Sequence, residues 1–391
     1  MVQYDPFSAE VMNDPHPVYA RLREEAPVYH LEKFDAWALS RFEDVWNCSM
    51  DRRFSAARGT TSAHLLTKVQ PVTPMLNVMD PPQHTQLRGR MREFFVPSKV
   101  RALEPTIREL AAGCLDAARE RGRMDVVHDF AAQVATKIAC TVNGIPLEDG
   151  DLLNDLVQRF FKREPGVEGM TPDGLAAMEE MFGYFVGILR KRRADPQDDL
   201  VSMLTQVEID GEKIDDMAGA SHLSMLIIGG SETFPKVFAN LVRRLGEHPD
   251  QRAEIAADPS LAPDAFQEGV RYDMPTQFLC RSLLEPVELH GRTMQAGDPV
   301  LFLYTSANRD PREFESPDTF DIHRKAPRIL SFGHGTHLCL GIHVAKAEGR
   351  VCLEEMLKRM PEYALDLENA ERLVTDFVQG YSSFPVTFNP W

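Results

Sequence analysis

Residues 214–245 read as one long helix, and that helix decides most of what this chain can fold into. At 1.5 Å per residue it spans about 48 Å. From Leu223 to Ile228 it is apolar on nearly every face, apart from Ser224. A helix without a polar face belongs inside a large protein. The chain is 391 residues long and 43% hydrophobic, enough to build a core around it. Helical periodicity also dominates elsewhere, near 15–26, 84–95, 98–120, 126–142, 148–162, 173–193, 197–207, 249–256, 263–273 and 340–359. Strand-like alternation is confined to 28–40, 284–289, 292–294 and 299–303, with His290-Gly291 as a hairpin turn. A last strand pair is expected near 375–388, with Gly380 in its turn. The expected fold is mainly α with a minor β region. Neither repeats nor linkers divide it, and the Pro-containing stretches (164–173, 258–264) read as loops within a single domain, 1–391.

The long helix carries a flaw: Gly229-Gly230-Ser231-Glu232-Thr233-Phe234-Pro235. Two glycines weaken it and a carboxylate sits in its core. Pro235 cannot donate to the Ser231 carbonyl, and its ring clashes with that carbonyl. A kink or an opened turn is expected between Gly229 and Thr233. The bend either serves packing or makes room for a small ligand.

A second segment concentrates unusual chemistry: Ser331-Phe332-Gly333-His334-Gly335-Thr336-His337-Leu338-Cys339-Leu340-Gly341. A lone cysteine beside an apolar helix is usually a small buried hydrophobe. Zinc is disfavoured, because no second cysteine or spaced histidine pair accompanies it. A dinucleotide loop is disfavoured because Leu338 stands where the third glycine is needed. Gly333 and Gly335 instead let the backbone lie against a flat macrocycle. Phe332 offers a ring to keep water from the sulfur. Cys339 precedes an amphipathic stretch, Leu340 to Leu357, whose N-terminal dipole favours thiolate. Thiolate on a haem iron favours O–O cleavage.

The string resembles the haem-binding loop of the cytochrome P-450 family, in its bacterial, soluble, ferredoxin-dependent form. The pattern phenylalanine-glycine-any-glycine-any-histidine-any-cysteine-any-glycine is met at Phe332, Gly333, Gly335, His337, Cys339 and Gly341. The resemblance implies the family fold, with the long central helix over the haem and the cysteine loop on the opposite face. It implies haem b (protoporphyrin IX iron) with the Cys339 thiolate as the protein's metal ligand, and O2 as co-substrate. Glu232-Thr233 resembles the family's oxygen-activation pair, with Thr233 expected to hold activated oxygen by its hydroxyl and Glu232 to relay protons from solvent. Glu268 and Arg271, three apart on one helix face, resemble the buried Glu-x-x-Arg pair, and Arg324 stands where a further arginine completes it. Asn308-Arg309-Asp310-Pro311 resembles the bacterial members. In Met79 to Arg88, His84 and Arg88 lie four apart on one face. Alone they read as well as a solvated basic surface. The resemblance makes them, with Arg281 and His337, donors to the haem propionates, a task suited to arginine's planar fork.

The reaction so implied is insertion of one oxygen atom from O2 into a C–H bond of a hydrophobic small molecule, of terpenoid, steroid or fatty-acid type. The family would line the pocket from 60–76, 158–165, Met225 to Thr233, 274–279 and 380–384. These segments offer Leu65, Leu66, Phe160, Phe161, Met225, Ile228, Met274, Phe278 and Phe384, with Gln277 and Ser382 as polar handles. No flavin, nicotinamide or iron–sulfur module is expected on the chain, so electrons come from a small acidic ferredoxin with a separate reductase. Arg90, Arg92, Lys99, Arg101, Lys346 and Arg350 offer a basic docking face on a chain of net charge −16. That charge argues against nucleic acid as a partner. No apolar stretch is long enough for a membrane span, and the first residues do not form a secretory signal. Six scattered cysteines point to a reducing cytoplasm, and a monomer is expected. Three rivals remain: a peroxygenase, which has no need of Glu232 and Thr233; a haem-thiolate sensor or carrier; and a helical scaffold without haem, which leaves the loop unexplained.

Overall fold

A computed structural model describes residues 2–68, 75–162 and 171–391. The central helix runs as two segments, Asp216–Ser231 and Thr233–Glu247. The Asp215 carboxylate starts it by accepting from the Ala218 N–H at 2.7 Å. Leu223 and Ile227 are fully buried, and nearly every side chain from Phe234 to Val242 is buried as well. Close approach to neighbours depends on small residues. A Cβ on Gly219 would stand 2.9 Å from the Leu189 side chain on Pro172–Ala194, and one on Gly230 would stand 3.1 Å from Ala139 on Ala132–Asn143. The helix beyond the cysteine, Ile342–Arg359, packs on Pro97–Ala118 and Ala262–Tyr272. Gly349 leaves space there for the Phe266 ring.

The β region is a five-stranded sheet with small accessory ladders. Its order is Val28–Leu31, Ala36–Leu39, Pro299–Phe302, Leu279–Leu283, Phe54–Ser55. The expected strand over 28–40 is a hairpin, because Glu32–Phe34 forms a turn and Asp35 is left-handed at φ 47°. The hairpin Val287–Leu289 and Arg292–Met294 matches expectation, with His290 and Gly291 both at positive φ, the geometry a two-residue loop requires. Sequence alternation misplaced a neighbouring strand. The sheet uses Leu279–Leu283 rather than 284–286, and Arg281 and Ser282 are buried there, so polar residues masked an interior strand. Helix Phe42–Met50 was not expected at all.

The C-terminal expectation needs correction. Gly380–Ser383 and Pro385–Thr387 do not pair with each other. Gly380–Ser383 pairs with Glu371–Leu373, whereas Pro385–Thr387 lies between Ala364–Leu365 and Arg123–Asp125. Asp125 redirects the chain: its carboxylate accepts from Ser383 Oγ at 2.5 Å and from the Phe384 N–H at 3.3 Å. The same carboxylate caps the helical turn Val126–Ala131 through the Val127 and His128 N–H groups. Gly380, at φ 142°, opens its strand and lies against Lys236.

The Glu268–Arg271 pair is buried, with 2% and 0% of the side chains exposed. Both guanidinium contacts to the carboxylate are 2.7 Å, and Arg324 Nε reaches the same carboxylate at 3.2 Å. Removing one member of a buried pair leaves an uncompensated charge and costs about 3–5 kcal/mol. Glu268→Ala is therefore expected to lower the unfolding free energy by that order in urea titrations. Arg324→Ala, at a partly accessible position, is expected to cost less.

Candidate active site

The cysteine loop hangs from that buried pair. Arg271 Nη1 donates to the Asn308 carbonyl at 2.9 Å. The Asn308 side chain then accepts from the Leu330 N–H at 2.8 Å and donates to Ser331 Oγ at 2.9 Å. Ser331 Oγ donates to the Val270 carbonyl at 2.7 Å. The loop folds back on itself through Gly333 N–H to Leu330 (2.9 Å) and Cys339 N–H to Phe332 (2.8 Å). Gly333 and Gly335 are left-handed, at φ 69° and 72°. Gly335 is doubly constrained, because a Cβ there would meet the Ser49 carbonyl oxygen at 2.4 Å. The His334 ring stacks on Trp46 with centroids 3.5 Å apart. Sequence reading missed Trp46; no motif marks it, and only the packing of helix Phe42–Met50 brings it to the loop.

Cys339 is exposed, yet burial pushes its thiol up. Both facts hold if the sulfur faces a void inside the protein. The Gly341 N–H and Arg88 pull the thiol the other way and do not win. The helix dipole therefore does not by itself produce the thiolate expected from sequence; a coordinated metal ion deprotonates a thiol outright.

Around the sulfur stand four basic groups. His84, on Gln83–Arg92, is 0% exposed, and neither ring nitrogen has a partner. Its ring lies 4.3 Å from that of His337. Arg88 donates to the Leu338 carbonyl beside the cysteine. Arg281, buried in strand Leu279–Leu283, donates to the Cys280 carbonyl at 2.8 Å. Burial, then Arg88 and Arg281, lower His84 to about 4. Burial, then Arg281, His84 and Arg88, lower His337 to about 3. Asp80 lies nearby, but Ser55 Oγ and the Ala56 N–H occupy its carboxylate. Among the described residues none of the four forms an ion pair. A buried, unpartnered histidine and three further basic groups without a carboxylate, beside an accessible sulfur, fit a flat, metal-bearing ligand that carries acid groups. Phe332 packs half-buried against the main core behind the loop.

The central helix breaks at Glu232, as Pro235 requires. Thr233 Oγ1 donates to the Gly229 carbonyl at 3.0 Å, and Ser231 Oγ to the Ile227 carbonyl at 2.6 Å. Such back-bonding bends helices. Gly229 is exposed in mid-helix, and a Cβ there would meet nothing within 4 Å. Open space therefore borders the break. Glu232 does not face solvent: it pairs with Lys236 at 2.6 Å, both side chains less than a tenth exposed. The i,i+4 spacing carried this signal, but sequence alone did not bury the pair. No hydrogen bond or ion pair among those described joins Glu232 or Thr233 to the Cys339 cluster.

The expected pocket lining fares unevenly. Met225 and Ile228 are half-buried on the central helix next to Gly229. Phe278 and Phe384 are sealed in the core and line no void. Ser382 Oγ is committed to the Glu371 carbonyl at 3.2 Å. Residues 69–74 and 163–165 of the expected lining lie outside the described residues.

Comparison with known proteins places this arrangement. The model of the cytochrome P450 family matches residues 170–361. A putative cytochrome P450 123 of Mycobacterium tuberculosis is 34% identical over 387 residues, covering 98% of this chain and 96% of its own. The chain belongs to the cytochrome P450 family. The vitamin D(3) 25-hydroxylase of Pseudonocardia autotrophica is 35% identical, covering 99% and 97%. The crystal structure of CalO2 superposes with a TM-score of 0.89 at 30% identity, covering both chains completely. In this P450 the central helix and the cysteine loop therefore lie on opposite faces of haem b, with cysteine as the protein's iron ligand. No helix among the described residues is long and apolar enough to cross a membrane.

Depressed histidines make the haem-free P450 acid-sensitive. The unfolded chain protonates His84 and His337 near 6.5, whereas the fold holds them near 4 and 3. Unfolding thus takes up protons in this window, and the stability present above pH 6.5 is lost as the pH falls toward 3–4. Urea unfolding of the haem-free protein is expected to show a falling free energy from pH 7 to 4. His84→Gln combined with His337→Gln is expected to flatten that slope.

Proposed function

We propose that this P450 monooxygenase hydroxylates a hydrophobic small molecule of terpenoid, steroid or fatty-acid type, using electrons from a small acidic ferredoxin served by a separate reductase. The observation that carries the reading is the accessible Cys339 sulfur beside four basic groups that hold no carboxylate. Bound haem supplies the oxygen and electron chemistry, and the protein supplies position, water exclusion and protons. Cys339 holds the iron. His84, Arg88, Arg281 and His337 hold the propionates. Phe332 keeps water from the sulfur. Thr233 offers a hydroxyl at the opened turn, where its present acceptor is the Gly229 carbonyl. Glu232 relays protons there, and Lys236 holds its carboxylate in place.

The half-buried Met225, Leu226 and Ile228 give the helix an apolar wall beside Gly229, which suits a substrate without charge. The 35% identity to a vitamin D(3) 25-hydroxylase supports the steroid-like end of the range. The donor face is smaller than sequence suggested. Arg350 is paired with Glu104 at 2.6 Å and Glu354 at 3.0 Å, Arg90 with Glu93 at 3.7 Å, and Lys346 donates to Gln267. Arg92, Lys99 and Arg101 stay exposed and carry the proposed docking. Six cysteines, none in a disulfide, suit a reducing cytoplasm.

Two measurements test the reading. Dithionite-reduced, haem-loaded protein under carbon monoxide is expected to show the long-wavelength Soret band of thiolate haem, and Cys339→Ala to lose it. A wild type without that band refutes the ligand assignment. In turnover driven by an acidic ferredoxin, Arg92→Glu is expected to slow electron arrival without changing product per electron. Thr233→Ala is expected to do the reverse, sending electrons to peroxide and water. Unchanged yield in Thr233→Ala removes that residue from the mechanism.

A further inference from the structure

Glycine gives a loop no stiffness of its own. The cysteine loop places left-handed Gly333 and Gly335 on either side of an extended His334, at φ −149°. Contacts from outside must therefore set its shape, and two groups of residues supply them. The stem is gripped at Leu330 and Ser331 by Asn308 and is closed by the Cys339 N–H on the Phe332 carbonyl. The outer end, His334 and Gly335, rests on helix Phe42–Met50, which supplies none of the basic groups around the sulfur.

Trp46 meets His334 face to face, with centroids 3.5 Å apart and planes inclined by 16°. Behind Trp46 lies Phe42, 5.6 Å away and inclined by 19°, so three rings stack in series. Phe42 is buried, with Phe314 against it edge-on at 5.5 Å. Arg328 lies over Phe42 at 5.0 Å and over Trp46 at 5.2 Å. Glu313 and Glu43 hold that guanidinium at 2.7 and 3.0 Å. Burial and then Arg328 keep His334 below its ordinary range, so its ring is uncharged at neutral pH and does not repel Arg328. Both supports of the loop start from one segment. Asn308 grips the stem, and Asp310, two residues on, accepts from the Phe42 N–H at 3.0 Å and anchors the helix that carries Trp46.

The outer end is linked to the sulfur by a short path. A single helical turn, Gly335–His337, leads from it to Leu338 and Cys339, closed by the Leu338 N–H on the Gly335 carbonyl at 3.1 Å. Such a turn passes a displacement of its first residue on to its last. We propose that Trp46 is a positioning residue for the reaction: its ring, stacked on His334, fixes the outer end of the loop and thereby the placement of Cys339 as iron ligand. The inference rests on that ligand assignment. Trp46 acts through His334, so the contact between the two rings is what must be tested.

The test uses the haem-loaded full chain, reduced with dithionite under carbon monoxide in urea too dilute to unfold it. The readout is the share of haem that lacks the long-wavelength Soret band while circular dichroism shows the chain folded. Trp46→Ala and His334→Ala are each expected to raise that share about fivefold, the effect of losing one aromatic pair. The double variant is expected to go no further than either single one, because both remove the same contact. Trp46→Phe keeps a ring on His334 and is expected to stay within about twofold of wild type. A role in stability alone would lower the unfolding midpoint and leave the share in the folded protein unchanged. Should Trp46→Ala fail to fold, His334→Ala, which alters a half-buried ring, and Trp46→Phe decide the question. Wild-type shares in the alanine variants, additive effects in the double variant, or a Trp46→Phe that behaves like the alanine variants would overturn the proposal alone. A wild type without the band overturns the ligand assignment, and the proposal with it.

Discussion

The buried contact between Glu268 and Arg271 governs the geometry of everything around the sulfur. An ion pair so deep is not chosen for stability, since desolvation offsets much of its attraction. It is useful because each lone pair and N–H must be placed. Arg271 spends its remaining donors on the carbonyls of Asn308 and Pro317, at 2.9 Å each. Asn308 is thereby oriented to grip the start of the cysteine loop at Leu330 and Ser331. A hydrophobic substitute could fill the volume but could not direct Asn308, and the loop would lose its anchor.

The site itself is a region of deliberate dissatisfaction. His84 has two ring nitrogens and no partner, and Arg88, Arg281 and His337 crowd it. A protein core rarely tolerates this. The arrangement is intelligible when a cofactor brings the missing acceptors and negative charge, and its chemistry matches the carboxylates of the family's haem.

The break in the central helix shows backbone and side chain acting together. Pro235 removes one hydrogen bond, and the hydroxyls of Ser231 and Thr233 turn back onto the carbonyls of Ile227 and Gly229. The break leaves Glu232 buried, where Lys236, one turn on, pairs with it. Gly380 approaches Lys236 because it has no side chain, so the C-terminal strand helps to fix the Glu232–Lys236 pair.

Much of this was legible in the amino-acid order because it rests on local rules. Helical period, proline geometry and the glycine–cysteine spacing set the mainly helical fold, the break at Glu232 and the glycine-rich loop that carries Cys339. These depend on residues a few positions apart, whose steric limits hold in any context. Partnership was not legible. The strand Leu279–Leu283 hid behind Arg281, Gly380–Ser383 and Pro385–Thr387 found separate partners, Arg350 was neutralised by Glu104, and Trp46 came to stack on His334. Whether a charge stays free or is cancelled, and whether a ring lines a void or fills the core, is decided by what lies across the fold. Only the tertiary structure brings those residues together, because burial and pairing are properties of three-dimensional neighbours.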